Sequence, residues 1–89
     1  MHGLLSSSDV FILNDENKAL AFVLANRAYD VWLGNNRGNK YGKDHIQLSA
    51  HNKAFWNFTF EDMAIYDLPA AFGYIYQKTQ RAIVYIGHS

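Results

Sequence analysis

Residues 82–89 read Ala82-Ile83-Val84-Tyr85-Ile86-Gly87-His88-Ser89, five β-prone and largely apolar residues that run into a glycine-containing turn. A short apolar run bounded by turn residues predicts a buried strand. Working backwards, residues 68–79 predict a helix with Pro69 in its first turn, where a missing amide hydrogen is tolerated. Asp67 stands where a cap belongs, and residues 60–66 predict a preceding helix separated from the first by a break. Residues 34–59 open on a Gly- and Asn-rich run and show little periodicity, which predicts a long loop. Tyr29-Asp30-Val31-Trp32-Leu33 predicts a second strand. Residues 16–27 place Leu20, Val23, Leu24 and Arg27 at three- and four-residue spacing, the period of a helix face, with Asn14 or Asp15 as its cap. Residues 2–15 read as a loop with one apolar stretch, Val10–Leu13.

The order is loop, helix, strand, long loop, helix pair, strand. Strands separated by helices predict an α/β chain with a parallel sheet and right-handed crossovers. Two strands are too few to make one, so the expectation is an incomplete sheet.

Composition narrows the function classes. Eighty-nine residues give one small unit, yet 49% are hydrophobic and 16% aromatic, as in the buried part of something larger. Eight basic residues balance eight acidic ones, so nothing points to nucleic acid. There is no cysteine, which excludes a disulfide framework and a zinc-thiolate site. Met1-His2-Gly3 does not open a secretory leader, and no apolar run has the length of a membrane span.

Two short motifs carry chemistry. Gly87-His88-Ser89 after an apolar run matches the first half of G-x-S-x-G, which places a nucleophilic serine on a sharp turn between strand and helix in α/β-hydrolases. His2-Gly3-Leu4-Leu5 matches the HG-type loop whose backbone amide donates to the oxyanion. Each is weak alone: a serine after a strand and a tight loop at an N-terminus are the plain alternatives. Their chain order fits one active site.

Longer strings make a resemblance. HGLLSSSDVFILND, LAFVLANRAYDVWLGNNRGNKY, FWNFTFEDMAIYDLPA and VYIGHS together resemble the acid lipase family of gastric, lysosomal and fungal steryl ester lipases. The likeness spans nearly the whole chain, and GNNRGNKY looks closer to the fungal branch. Ala28 stands where the family usually carries glycine. The resemblance implies a fragment, residues 1–89, of a single α/β-hydrolase domain that runs from oxyanion loop to nucleophile elbow, roughly the third to fifth strands. It implies a triacylglycerol or steryl ester hydrolase with Ser89 as nucleophile and the Leu4 backbone amide in the oxyanion hole. His2, Gly3, Gly87 and His88 would support these motifs. It implies a lipid ester substrate, no nucleic acid and no cofactor. It also implies a lysosomal, secreted or lipid-droplet setting, with any membrane or lipid-interface association made through segments outside these residues.

The triad Asp and His should follow the serine in sequence, so the 89 residues alone are expected to be inactive. The alternative is a non-catalytic remnant that at most binds lipid or a partner chain. The remaining residues have plainer readings. His45 and His51 lack a third ligand and read as loop residues, with no metal site. Glu61, Asp62 and Asp67 read as helix-start carboxylates, and Arg37 as a loop tie to backbone carbonyls. Trp32, Phe55, Trp56, Phe58 and Phe60 read as core before lipid contact, and Asn57-Phe58-Thr59 is a glycosylation tripeptide expected to be unoccupied.

Overall fold

A computed structural model describes all 89 residues. Three helical elements carry the regular structure: α1 (Leu20–Asn26), α2 (Phe60–Asp62) and α3 (Leu68–Thr79), with 3-10 turns at Ser8–Phe11 and Lys53–Trp56. There is no strand, which corrects the α/β expectation of an incomplete parallel sheet. Residues 29–33 and 82–86 carry no regular structure and form no ladder. A parallel strand satisfies its amides and carbonyls only through strands beside it, and no hydrogen bond joins these two segments. One parallel-type contact forms. The Met1 amine donates to the Ile86 carbonyl at 2.6 Å, and the His88 amide donates to the Met1 carbonyl at 3.0 Å.

The chain is open. Its radius of gyration is 14.4 Å, against about 12 Å for a close-packed chain of this length. Its surface is 7040 Å², where about 5300 Å² is usual for such a mass. Only Ala19, Ala21 and Phe55 form a buried apolar core. Val84 is 85% exposed, so the apolar run that reads as a buried strand is not buried, and its ring contact is Tyr85 edge-to-face on Phe72.

The two predicted helices after residue 59 form one helical rod instead of breaking. A π-helical turn at Met63–Asp67 joins α2 to α3, and the Leu68 amide reaches back five residues to the Met63 carbonyl. Pro69 sits in the first turn of α3. It offers no amide to residue 65 and its ring crowds that carbonyl, so widening the turn before it keeps the rod continuous. Thr59 starts the rod with a capping box: its amide donates to the Asp62 carboxylate at 2.8 Å, and the Asp62 amide donates to the Thr59 hydroxyl at 3.4 Å. Asp67, read as a cap, lies inside the helical stretch and caps nothing.

Helix α1 is shorter than the predicted 16–27. Asp15 and Asn14 do not cap it: Ala19 stands at the N-cap with no side-chain bond. The Asp15 carbonyl instead accepts the Lys18 and Ala19 amides in a turn ahead of the helix. Its one buried residue is Ala21, with Ala19 buried at its cap, while Leu20 is 41% exposed. The helix ends in a Schellman motif. The Ala28 amide donates to Ala25 at 3.0 Å, the Tyr29 amide to Leu24 at 3.2 Å, and Ala28 takes the left-handed conformation at φ 66°. A side chain there costs about 1–2 kcal/mol, which glycine escapes.

Ala28→Gly should therefore stabilise the C-terminus of α1. After subtracting the entropy glycine adds to the unfolded chain, about 0.5–1 kcal/mol remains. Thermal unfolding followed by circular dichroism at 222 nm should show a rise in midpoint; a fall would contradict the assignment.

Candidate active site

The segment of residues 2–9 and the turn of residues 35–41 are joined by side-chain hydrogen bonds. The buried Ser8 amide donates to Asn35 Oδ1 at 2.9 Å, and Asn35 Nδ2 donates to the Ser8 hydroxyl at 3.1 Å. Asn39 Nδ2 donates to Asn35 Oδ1 at 2.8 Å and meets His2 Nε2 at 3.1 Å. The Asn36 amide also donates to His2 Nε2 at 3.1 Å, and His2 Nδ1 lies 2.8 Å from the Gly3 carbonyl oxygen. At the far end Asp9 pairs with Lys40 and accepts the Tyr41 hydroxyl at 2.8 Å. Lys40 first and then Tyr41 hold the Asp9 carboxyl below its ordinary value, while Asp9 first and then Tyr41 raise Lys40 above its own.

Arg37 fastens this pair of segments to the helical rod. Its Nη2 donates to Asp67 Oδ1 at 2.6 Å, its Nε to the same oxygen at 2.9 Å, and its backbone amide to Oδ2 at 3.1 Å. A fork-shaped donor on a partly buried carboxylate is among the stronger polar contacts, and it raises the Arg37 guanidinium above its ordinary range. Arg37 was expected to bind backbone carbonyls; a carboxylate takes that place. Gly38, at φ 85°, lets the turn pass close to Trp56 and Phe58, where an added Cβ would come within 2.8 Å of either ring. Phe55 packs edge-to-face with Trp56, Phe58 and His45, and Trp56 lies tilted against Phe58. Phe55 is buried, as the core reading expected, while Trp56 and Phe60 are 44% and 67% exposed.

The two chemical motifs, eighty-odd residues apart in sequence, meet. A Cβ built on Gly3 would lie 2.8 Å from Ser89 Cβ, 3.2 Å from the His88 carbonyl and 3.3 Å from His88 Nδ1. Only glycine permits this approach, because neither a serine Cβ nor a backbone oxygen can swing away. Ser89 has φ 66°, a left-handed conformation that costs energy and is common at functional turns. Leu4 and Leu5 occupy a turn closed by the Ser6 amide on the Gly3 carbonyl at 3.2 Å, with Leu5 at φ 58° and 98% exposed. The Leu4 amide donates to no acceptor in the chain. An open cleft of about 1220 Å³ runs along this meeting point, lined by Leu4, Phe58, Phe60, Met63, Leu68 and Ser89 among others.

His2, Gly3, Leu4, Gly87, His88 and Ser89 are thus brought to one place. His45 and His51 are not: the His45 Nδ1 accepts the Gln47 and Leu48 amides in its own loop, and no group of three His, Cys, Asp or Glu is assembled anywhere. Sequence reasoning missed Ser8, Asp9, Asn35, Asn39, Lys40 and Tyr41 as a unit. The signal was present in the polar density of SSSD and GNNRGNKY, but polarity alone does not say which side chains meet.

No known family profile matches the chain. Curated proteins do. It is 47% identical to a tear acid lipase-like protein of Mesocricetus auratus and 49% identical to a gastric triacylglycerol lipase of Mus musculus, covering 99% of this chain and 22% of each relative. It is 47% identical to a probable lipase of Schizosaccharomyces pombe, covering 99% of this chain and 19% of that one. The chain therefore spans about a fifth of the length of these relatives. Identities this close do not place it nearer the fungal branch than the animal one.

The double asparagine gives a sharp test. Asn35→Ala leaves the buried Ser8 amide without an acceptor and should cost about 1–3 kcal/mol. Asn36 acts through its backbone, and its buried Oδ1 has no partner. Asn36→Ala should accordingly lie within about 0.5 kcal/mol of the native chain. Chemical denaturation of both variants decides; equal losses would refute the network.

The Asp9–Lys40 pair sets a pH window. A carboxyl held below its ordinary 3.8 stabilises above that value and is lost as pH falls through its depressed one. A lysine held above its ordinary 10.5 stabilises below that value and is lost as pH rises past its raised one. The Asp9 carboxyl carbon resonance should therefore hold as pH falls to 3.8 and move only below it; a midpoint at or above 3.8 would contradict the pairing.

Proposed function

We propose that this chain, which belongs to the acid lipase family, carries the nucleophile and the oxyanion loop of a hydrolase of lipid carboxylic esters, either triacylglycerols or steryl esters. The observation that supports this most is the contact of Gly3 with Ser89 and His88, which sets a serine beside a glycine loop whose next amide is free. In this reading Ser89 Oγ attacks the ester carbonyl carbon while the Leu4 N–H, together with a second donor, stabilises the oxygen that becomes negative. The alcohol leaves with a proton, and water then releases the acid from the serine. The apolar lining of the cleft suits an acyl chain, and no cofactor takes part.

The serine proton needs an imidazole backed by a carboxylate. None of the four histidines is hydrogen-bonded to a carboxylate, and both ring nitrogens of His2 are engaged elsewhere. The 89 residues alone are accordingly silent toward esters. Their exposed apolar surface gives the second reading, binding of lipid or of another chain without catalysis, its only support.

A fluorophosphonate probe separates the two. Protein translated from the uninterrupted reading frame should be labelled at Ser89 and should hydrolyse p-nitrophenyl and long-chain glycerol esters. Ser89→Ala should abolish labelling and lower kcat by at least about 10³-fold. Activity that survives Ser89→Ala, or labelling at another serine, would overturn the assignment.

A further inference from the structure

We infer that His2 is the positioning residue of the oxyanion loop, and that the GNNRGN turn acts on catalysis through it. The inference rests on the role proposed for the Leu4 amide. Every peptide bond in the chain is trans. In a trans peptide the carbonyl and the amide hydrogen point in opposite directions in one plane, so whatever holds the Gly3 carbonyl also aims the Leu4 N–H. Two donors hold it: His2 Nδ1 at 2.8 Å and the Ser6 amide at 3.2 Å. The hold matters because Gly3 has no side chain to restrain its backbone. A flip of the Gly3–Leu4 peptide would replace a donor by a carbonyl oxygen, turning attraction for the oxyanion into repulsion.

The tautomer of His2 follows from its neighbours. A backbone amide can only donate, so the Asn36 N–H requires a lone pair on Nε2. The Asn39 side-chain amide adds a second donor at the same nitrogen. The Gly3 carbonyl can only accept, so Nδ1 must carry the hydrogen. Both demands are met by one neutral imidazole with its proton on Nδ1, and neither the other tautomer nor the imidazolium satisfies them. His2 is 7% exposed, which leaves water little access to replace these partners. The turn of residues 35–39 therefore sets the proton position of a ring whose other face aims the free amide beside Ser89.

Asparagine and glutamine separate this role from simple packing, because asparagine places a side-chain amide donor near the position of Nδ1 and glutamine near that of Nε2. With protein translated from the uninterrupted reading frame, His2→Ala should lower kcat by about 10²–10³-fold, the cost of losing one oxyanion donor, with KM changed less than threefold. His2→Asn should recover at least tenfold of that loss, and His2→Gln should not. Equal effects of Asn and Gln, or an unchanged kcat in His2→Ala, would overturn the proposal. Loss of activity in Ser89→Ala with wild-type kcat in His2→Ala would condemn this inference alone; activity retained in Ser89→Ala would condemn the reading beneath it. Should His2→Ala fail to fold, ¹⁵N spectra of the unsubstituted 89-residue chain decide. A protonated Nδ1 with an unprotonated Nε2 at neutral pH supports the proposal, and the reverse tautomer or an imidazolium overturns it.

Discussion

The clasp between residues 2–9 and residues 35–41 is the constraint on which the rest of the structure depends. It consists of directed bonds among His2, Ser8, Asp9, Asn35, Asn39, Lys40 and Tyr41. In most small domains apolar burial does this work without fixing geometry. Here three apolar residues are buried, and polar pairing takes over because hydrogen bonds are directional and specify one arrangement. A half-satisfied network of this kind is costly, so its members succeed or fail together.

The clasp would float without its anchor to the helical rod. Arg37 supplies it by spending both its fork and its backbone amide on Asp67. That carboxylate is available because the π turn carries Asp67 through the rod instead of leaving it at a helix start, where it would have bonded the amides of the next turn. Pro69 thus acts at a distance. By forbidding an ordinary turn before itself, it releases the acid that ties down the glycine-asparagine loop. Phe58, under the Arg37 guanidinium at 5.7 Å, adds a cation–π contact to the same joint.

The proximity of the two short motifs was more legible in the sequence than the architecture. Gly3 and Ser89 carry motif information that does not depend on a sheet, and they meet as their chain order suggested. The predicted strands failed because β structure is a property of pairs. Val84 and Ile86 have the composition of a strand, but their amides and side chains need partners that residues 29–33 do not provide. Helices fared better, since their hydrogen bonds are internal, though their ends shifted where turn chemistry prevailed: Ala19, not Asp15, begins α1. The family departure at Ala28 looked inconsequential as a string and acquires meaning only from its left-handed φ. The bonds of Asn35 to Ser8 and of Asn39 to His2 were invisible because those partners lie 27 and 37 residues away.

The contact of Met1 with Ile86 and His88 spans 85 residues, and a chain is made from one end. A ribosome adding about 5–20 residues per second delivers the glycine loop roughly 4–17 s before its serine partner exists. During that interval residues 2–9 can close only on the Asn-rich turn, which emerges about midway. The loop therefore waits half-assembled on the nascent chain, with its histidine already held, until residues 87–89 arrive.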